Sequence, residues 1–252
     1  MSIKVTIITV SLNSEKYIST AIESVLSQDY SNIEYIVIDG GSVDRTIEIV
    51  KSYGTKISSF ISEPDDGLYD AMNKGIEIST GKIIGFLNSD DYYLNNSVIS
   101  RVAKLYSENL DLDIVLGNVD FVLPDNMDKS IRVFSSSNFN PWKLRFGFMP
   151  PHPSSFVHRS AYNRIGTYSL GYIIAADFEW FCRALFVHNL KYSKIDKVLV
   201  RMREGGVSTS GMKSYYISSM EMLRALKKNN IYSNLLFVLL RLPIKFFKKY
   251  KG

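Results

Sequence analysis

Two adjacent carboxylates, Asp90 and Asp91, follow the apolar stretch 82–87 after Asn88 and Ser89. Carboxylates this close raise each other's pKa unless a cation offsets their repulsion. Oxygen ligands suit Mg²⁺ or Mn²⁺, and Mg²⁺ commonly takes one or two protein carboxylates while substrate phosphates complete its shell. The pair therefore predicts a divalent metal site, although an Asp-Asp pair is also common in a solvated turn.

A second acidic cluster, Asp39-Gly40-Gly41-Ser42, ends the β-branched run 33–38. The glycines let the backbone approach a ligand closely, and a carboxylate at a strand end can accept hydrogen bonds from a ribose or a base. A tight strand-to-helix turn explains the same residues equally well. Neither the G-x-G-x-x-G dinucleotide fingerprint nor a Gly-Lys-Ser/Thr phosphate loop occurs in the sequence.

A fourth acid, Asp177, stands between Ala175-Ala176 and an aromatic segment. An acid in apolar surroundings has a raised pKa and can act as a general base, whereas Asp is also a favoured N-cap of helices. Glu179 is a second candidate for the base. His152 lies between two prolines, and without an H-E-x-x-H motif a structural role is the simpler interpretation.

Two further clusters leave their alternatives open. Arg201 and Arg203 precede the segment Gly205-Gly206-Val207-Ser208, which could fold over a phosphate or form a hairpin. An aromatic patch near Lys143 and Arg145 could stack on a sugar, pack in the core or contact a membrane. This patch consists of Trp142, Phe146 and Phe148.

The elements that must position these residues alternate between strand and helix over the first 90 residues. Strands are predicted at 3–10, 33–38, 57–62 and 82–87, with helical periodicity between them. This alternation predicts a parallel sheet with right-handed crossovers, whose ligands bind beyond the carboxyl ends of the strands. Because the polar clusters at 11–13, 39–42, 63–67 and 88–91 all follow strands, we expect them to meet at one edge.

The second half of the chain is less regular. A helix is predicted at 97–106, a strand at 114–123 with a bulge at Gly117, a polar loop at 124–140 and a late strand at 195–200. The 252 residues suit one large α/β domain. A single cysteine, Cys182, excludes a disulfide framework and fits a reducing compartment. The N-terminus is interpreted as a first strand rather than a signal peptide.

The net charge of +5 is concentrated near the C-terminus. Residues 222–252 hold eight basic side chains and no acidic one, so the body carries 22 basic and 25 acidic residues and is not a nucleic-acid surface. In the segment SNLLFVLLRLPIKFFKKYKG, the apolar run Leu235–Leu240 is far too short to span a bilayer, and Arg241 and Pro243 interrupt it further. Its apolar and basic mixture favours a position on an anionic membrane surface, with a last helix packed on the domain as the alternative.

Three blocks in order carry a resemblance to a known family: TIITVSLNSEKYI, SVLSQDYSNIEYIVIDGGSVDRT and EPDDGLYDAMNKGIEISTGKIIGFLNSDD. With them the chain resembles the family 2 glycosyltransferases of the GT-A fold, in the bacterial polysaccharide branch, over roughly residues 3–210. The resemblance implies an α/β, Rossmann-like three-layer sandwich with a mostly parallel central sheet. Residues 1–95 would bind the nucleotide-sugar, 96–215 would bind the acceptor, and 216–252 would form a basic amphipathic helical tail.

The resemblance also implies roles for individual residues. Asp177 matches the general base, and Asp90 and Asp91 match the acidic metal motif, with Asp91 favoured as the direct ligand of Mn²⁺ or Mg²⁺. Asn88 and Ala176 stand where the family often has acids, which leaves fewer carboxylates at both places. The residues expected to line the nucleotide-sugar pocket are Thr9, Ser11, Asn13, Asp39, Gly41, Ser42, Asn73, Lys74, Asn88, Ser89 and Asp90.

The expected activity is a metal-dependent, inverting glycosyl transfer of the hexosyltransferase type. The donor is expected to be a UDP-sugar, and the acceptor a saccharide or lipid-linked saccharide of a bacterial surface polysaccharide. The protein is expected to be cytoplasmic and peripherally attached to the inner face of the membrane. A sugar-1-phosphate nucleotidyltransferase is an alternative, although SLNSEKY lacks the Gly-rich basic loop such enzymes need. A non-catalytic nucleotide-sugar or glycan-binding module is another, because fold analogy alone does not decide function.

Overall fold

The computed structural model describes residues 2–124, 126–205 and 212–241, apart from the side chain of Asp128. Within these residues the strands form one nine-stranded sheet. Its strands are β1 (Val5–Ser11), β2 (Ile33–Asp39), β3 (Ser59–Ser62), β4 (Ile83–Phe86), β5 (Tyr92–Tyr93), β6 (Ile114–Leu123), β7 (Asn126–Phe134), β8 (Ser155–His158) and β9 (Tyr192–Arg203).

Helices cover both faces of this sheet. They are α1 (Ile18–Leu26), α2 (Thr46–Ser52), α3 (Leu68–Ile78), α4 (Val98–Glu108), α5 (Arg159–Ile165), α6 (Ala176–Phe181), α7 (Met212–Lys228) and α8 (Leu235–Leu239). A π-helical turn, Cys182–Val187, continues α6. Apolar residues of α1, α2 and α4 form the core on one face, and those of α3, α5, α6 and α7 form the core on the other. The predicted three-layer α/β architecture is confirmed.

The strand order is β3-β2-β1-β4-β8-β6-β9-β5, with β7 paired to β6. The first four strands are parallel, as predicted, and β1 pairs with β2 from Val5 opposite Ile33 to Ser11 opposite Asp39. Strand β8 is antiparallel to both β4 and β6. The sheet therefore continues without a break across the predicted division at residue 95.

The prediction of a loop at 124–140 is wrong, because the first part of this range forms strand β7. This strand pairs antiparallel with β6 through a shifted register. Its Asn, Ser and charged residues hide the strand pattern, since a strand with one paired edge does not need a continuous apolar run. The predicted bulge is present: the register of β6 with β9 shifts between Leu116 and Asn118, on either side of Gly117.

The start of the predicted tail is part of the folded domain. Helix α7 spans residues 215 and 216, and its Met222, Ala225 and Leu226 are buried in the core. Helix α8 follows after a short connection and buries Val238. Among the described residues, no helix is both long enough and apolar enough to pass through a bilayer.

Candidate active site

The loops that follow β1, β2 and β4 lie against one another. Asn13, which has a left-handed φ of 48°, donates its backbone N–H to Ser42 Oγ at 2.8 Å and accepts from the Val43 N–H at 2.9 Å. The hydroxyls of Ser14 and Ser89 are 2.7 Å apart. The expected meeting of these polar clusters at one edge therefore occurs in the folded chain, as parallel strands require.

Asp39 is fully buried at the end of β2. Its carboxylate accepts hydrogen bonds from the hydroxyls of Ser11 (3.1 Å), Ser42 and Ser62 (2.8 Å). It also accepts from the backbone N–H groups of Gly41 (3.2 Å) and Ser42 (2.9 Å). Gly41 has a φ of 84°, which glycine adopts without strain. Asp39 thus fixes the turn, and its predicted contact with a base stays a prediction.

Three other predicted pocket residues have their side-chain polar groups engaged. The Thr9 hydroxyl is buried 3.0 Å from the Tyr35 hydroxyl, so this residue offers a ligand its backbone. The Asn73 amide donates to Tyr168 O at 2.9 Å and accepts from Tyr168 N at 3.0 Å. Lys74 Nζ is 2.8 Å from Glu63 and donates to a backbone carbonyl, and the hydrogen bond with Glu63 raises the pKa of Lys74.

The loop that holds Asp90 and Asp91 differs from these residues, because one of its carboxylate oxygens has no partner among the described residues. Asp91 is fully buried, and Asn88 Nδ2 donates to its Oδ2 at 2.9 Å. The other oxygen, Oδ1, has no hydrogen-bond partner among the described residues. Burial, followed by the charge of Asp90, raises the pKa of Asp91 well above its ordinary value. Burial also raises the pKa of Asp90, which is half-buried.

Arg203 places one positive charge beside these acids. Its guanidinium donates to the backbone carbonyl of Asp90 and lies between the Tyr17 ring (4.5 Å) and the Tyr92 ring (5.2 Å). Arg201 instead pairs with Asp120 at 3.4 Å. Residues 206–208 of the predicted phosphate loop lie outside the described residues.

The acidic pair fits a metal ion that is completed by a substrate. In the described residues no group of three or more His, Cys, Asp or Glu side chains could hold a metal. Two carboxylates are sufficient when diphosphate oxygens supply the remaining ligands. The unpartnered oxygen of Asp91 and the more exposed carboxylate of Asp90 meet this requirement. Because Asp90 is more exposed than Asp91, its carboxylate is the more accessible to an ion. The expectation that Asp91 is the direct metal ligand stays a prediction.

Asp177 is the second residue of α6, and the N-cap is Ala175. The alternative that Asp177 is an N-cap is therefore wrong. Its Oδ1 accepts from the Phe178 N–H at 2.7 Å and lies 3.2 Å from the Tyr69 hydroxyl. Burial raises the pKa of Asp177 to about 6 against these stabilising donors. A carboxylate with this pKa is suited to accept a proton near neutral pH.

The second candidate base, Glu179, is a structural residue. Its carboxylate is fully buried and pairs with Arg183 at 3.0 Å and Lys228 at 3.4 Å. It also accepts from the Ser169 hydroxyl at 3.0 Å. Burial acts to raise the pKa of Glu179, but Arg183 and the hydrogen bonds hold it below the ordinary value. Glu179 therefore joins α6 to α7.

His152 and the aromatic patch also have structural contacts. His152 Nε2 is 2.7 Å from the Tyr168 hydroxyl, and burial lowers the pKa of His152 to about 4. Trp142 meets Phe146 edge to face at 5.4 Å, and Phe146 stacks on Phe237 of α8 at 4.9 Å. The patch is therefore the surface on which α8 packs.

Sequence reasoning missed Glu221. This α7 residue accepts hydrogen bonds from three successive backbone N–H groups just before Asp177, those of Ile173, Ile174 and Ala175. A Glu in the middle of a helix carries no signal of such a contact, because the partner segment lies 46 to 48 residues away in the chain.

In open α/β sheets, ligands bind beyond the carboxyl ends of the parallel strands, which is where the loops that hold Asp39, Asp90 and Asp91 lie. The sequence model of the family described as Glycosyl transferase family 2 matches residues 6–166. That match covers more than half of the chain, so the chain belongs to this family. The protein is a glycosyltransferase, as predicted.

Curated relatives agree with this assignment. An uncharacterized glycosyltransferase of Mycobacterium tuberculosis is 33% identical over 188 residues, which cover 73% of this chain and 69% of that protein. A PGL/p-HBAD biosynthesis glycosyltransferase of Mycobacterium bovis is 26% identical over 227 residues, covering 86% and 83% of the two chains.

Solved structures confirm the GT-A fold. S. aureus TarS 1-349 in complex with UDP-GlcNAc has a TM-score of 0.68 at 21% identity, over 88% of this chain and 66% of that one. This chain spans 39% of the longer TarS structure. The mannosyltransferase PcManGT from Pyrobaculum calidifontis, in complex with GDP-Man and Mn²⁺, has a TM-score of 0.68 at 16% identity, over 96% and 71%.

Proposed function

We propose that this glycosyltransferase moves a sugar, with inversion, from a UDP-sugar to a saccharide or lipid-linked saccharide of a bacterial surface polysaccharide. The observation that carries the proposal is Asp177, a carboxylate with a pKa raised to about 6, held by Tyr69 and the start of α6. The relative named for PGL/p-HBAD biosynthesis supports a glycan product. The TarS complex supports a UDP-sugar, while the PcManGT complex makes a GDP-sugar the rival donor.

The nucleotide would lie across the joined loops that follow β1 and β2. The Asp39 carboxylate fixes the turn 39–42. The glycines of this turn leave room for Asp65 and Pro64, which a Cβ at Gly40 or Gly41 would meet, so the turn packs closely on the loop after β3. Asn13 and Ser42 fasten the neighbouring loop to this turn. A preformed pocket of this kind lowers the entropy lost when the donor binds.

Asp90 and Asp91 are the residues that would hold a divalent ion. Such an ion supplies positive charge that stabilises a departing diphosphate. The chain's own contributions are the fixed guanidinium of Arg203 against the Asp90 backbone and the Asn88 amide that orients Asp91. Because Arg203 is 5% exposed, its charge is little screened by water.

Asp177 would accept the proton of the acceptor hydroxyl. As the acceptor oxygen forms its bond to the anomeric carbon, the bond from that carbon to the diphosphate oxygen breaks, and the nucleoside diphosphate leaves with the bonding pair. Attack from the opposite face inverts the anomeric centre. The Tyr69 hydroxyl, near both Asp177 and Ile174 O, keeps the carboxyl group in place.

The test is a panel of UDP- and GDP-sugars incubated with the protein and Mn²⁺, with products read by mass spectrometry. We expect transfer or slow hydrolysis with one UDP-sugar. Asp177→Asn should lower kcat by roughly 10²- to 10⁴-fold with donor affinity unchanged, because it removes the base but keeps the shape. Asp111→Asn is the matched control, since Asp111 is an exposed acid paired with Lys191. Near-normal transfer by Asp177→Asn would remove Asp177 from the mechanism.

We further propose attachment to the inner face of the cell membrane through α8. This helix and its C-cap, Leu240, leave four leucines exposed, namely Leu235, Leu236, Leu239 and Leu240. Exposed apolar patches of this kind mark contact surfaces. The basic residues after Arg241 lie outside the described residues, but the sequence places four lysines there. Apolar contact plus attraction to anionic lipid is the known basis of interfacial binding.

Vesicle flotation tests this attachment. The wild type should float with anionic vesicles and only weakly with neutral ones. Leu236→Glu with Leu240→Glu should abolish flotation, as should a chain cut after Asn229. Val43→Glu is the matched control, because Val43 is 92% exposed and belongs to another surface. Unchanged flotation of both α8 variants would place the membrane contact elsewhere.

A further inference from the structure

The segment that leads to Asp177 is fastened to α7 by one carboxylate. Glu221 accepts the backbone N–H groups of Ile173 (2.7 Å), Ile174 (2.9 Å) and Ala175 (3.0 Å). Glu221 is only 9% exposed. These three residues precede α6 without regular secondary structure, so the carboxylate supplies hydrogen bonds that no strand or helix provides.

A second α7 residue holds the same segment one helical turn later. Arg224 donates to Gly171 O at 2.6 Å, and its guanidinium lies 4.0 Å from the centre of the Tyr172 ring. Residues three apart on a helix lie on the same face, so Glu221 and Arg224 form a continuous contact. From the other side, the Tyr69 hydroxyl donates to Ile174 O at 2.5 Å.

These contacts set the geometry at the start of α6. Ala175 is the N-cap and Asp177 follows two residues later, so a shift of segment 173–175 moves the Asp177 carboxyl directly. Removing the acceptor would leave three N–H groups of the segment without their partner, and that of Ala175 is buried, where an unpaired donor is unfavourable. A displacement of about 1 Å can lower the rate of a catalysed step about 10²-fold.

We propose that Glu221 is a positioning residue for the transfer reaction, acting through segment 173–175 on the Asp177 carboxyl group. This proposal rests on the assignment of Asp177 as the base. Glu221 touches neither reacting atom; it determines where the proton acceptor lies. The titratable groups that interact with Asp177 are Tyr69 of α3, Tyr168 of the loop before α6 and Glu221 of α7.

Glu221→Gln is the test variant, because it keeps the side-chain size while one acceptor oxygen becomes a donor. We expect hydrogen exchange of the amides at 173–175 to speed up at least 10-fold. Turnover should fall 10- to 100-fold while the donor KM changes less than twofold, since the donor loops are untouched. The NMR titration of the Asp177 carboxyl should move below the wild-type value, because a like charge that raises it is removed.

Two further variants separate positioning from stability. Ser219→Ala is the matched control: Ser219 is a buried α7 residue whose hydroxyl binds Arg241 rather than the segment. It should lower the melting temperature and leave exchange at 173–175, the titration and kcat unchanged. Arg224→Gln releases Gly171 O and the Tyr172 ring but leaves the three N–H groups at 173–175 bound, and it should lower kcat about threefold, with normal donor KM.

Defined results overturn the proposal. Faster exchange with unchanged kcat would show that Glu221 holds the segment without positioning the base. Equal losses of kcat in Glu221→Gln and Ser219→Ala would show that Glu221 contributes only to stability. If the wild type transfers no sugar, the proposed function fails, while exchange and the Asp177 titration still decide whether Glu221 places that carboxyl: no change in either would refute it.

Discussion

Asp39 and Asp91 differ sharply although both are fully buried after parallel strands of one sheet, β2 and β4. The Asp39 carboxylate receives five hydrogen bonds from serine hydroxyls and backbone N–H groups. The Asp91 carboxylate receives one side-chain hydrogen bond, from Asn88, keeps an unpartnered oxygen and lies beside a second acid.

The difference lies in how well the fold itself stabilises each buried charge. A buried charge with a full set of donors is stabilised by the fold and in turn fixes the fold. A buried charge with few donors beside a like charge is unfavourable until a further partner arrives. Burial alone therefore does not distinguish the two carboxylates, whereas the number of donors does: those of Asp39 are complete, and Asp91 has an oxygen left for a further partner.

The largest effect on stability is expected from Asp39→Asn. The asparagine amide would point its N–H groups at the hydroxyl and backbone donors that surround Asp39. Several hydrogen bonds to a charge would therefore be lost in a buried site. We expect the free energy of unfolding to fall by about 3 kcal/mol, measured by urea denaturation. Asp111→Asn, at an exposed ion pair, should change it by less than about 0.5 kcal/mol. A small loss at Asp39 would show that the five donors do not act together.

A smaller effect concerns pH. Asp177 lies between the two extremes, because it accepts from the Phe178 N–H, shares the one Tyr69 hydroxyl proton with Ile174 O, and has a pKa raised to about 6. The unfolded value is about 3.9, so between the two values the folded chain binds more protons. Stability from this group is therefore present below pH 4 and is lost as pH rises through about 6. The wild type should lose about 1 kcal/mol relative to Asp177→Asn between pH 4.5 and 7.5, after allowance for solvent screening. Parallel pH curves for the two proteins would contradict the raised pKa.

The strand-and-helix alternation of the first 90 residues could be predicted because each buried parallel strand is a continuous apolar run, as in β1 and β4. The meeting of the polar loops followed from topology alone. By contrast, strand β7 could not be predicted, because its polar residues form no such run. The contacts of Glu221 could not be predicted, because its partners are backbone groups far away in the chain. The donor counts of Asp39 and Asp91 could not be predicted either, since hydrogen bonds to a carboxylate depend on loop conformation.

The smallest effect on stability, and the sharpest contrast with Asp39, is expected at Asp91→Asn. Without metal, the variant keeps an oxygen acceptor for Asn88 and removes a like charge beside Asp90, so its free energy of unfolding should stay equal or rise by up to about 1 kcal/mol. With Mn²⁺ and the nucleotide present, the wild type should gain thermal stability and the variant should gain much less, because binding to the folded state alone stabilises it. Melting curves with EDTA and with Mn²⁺ measure both quantities. A loss near 3 kcal/mol without metal would place Asp91 with Asp39 in the scaffold and leave Asp90 as the carboxylate that serves a ligand.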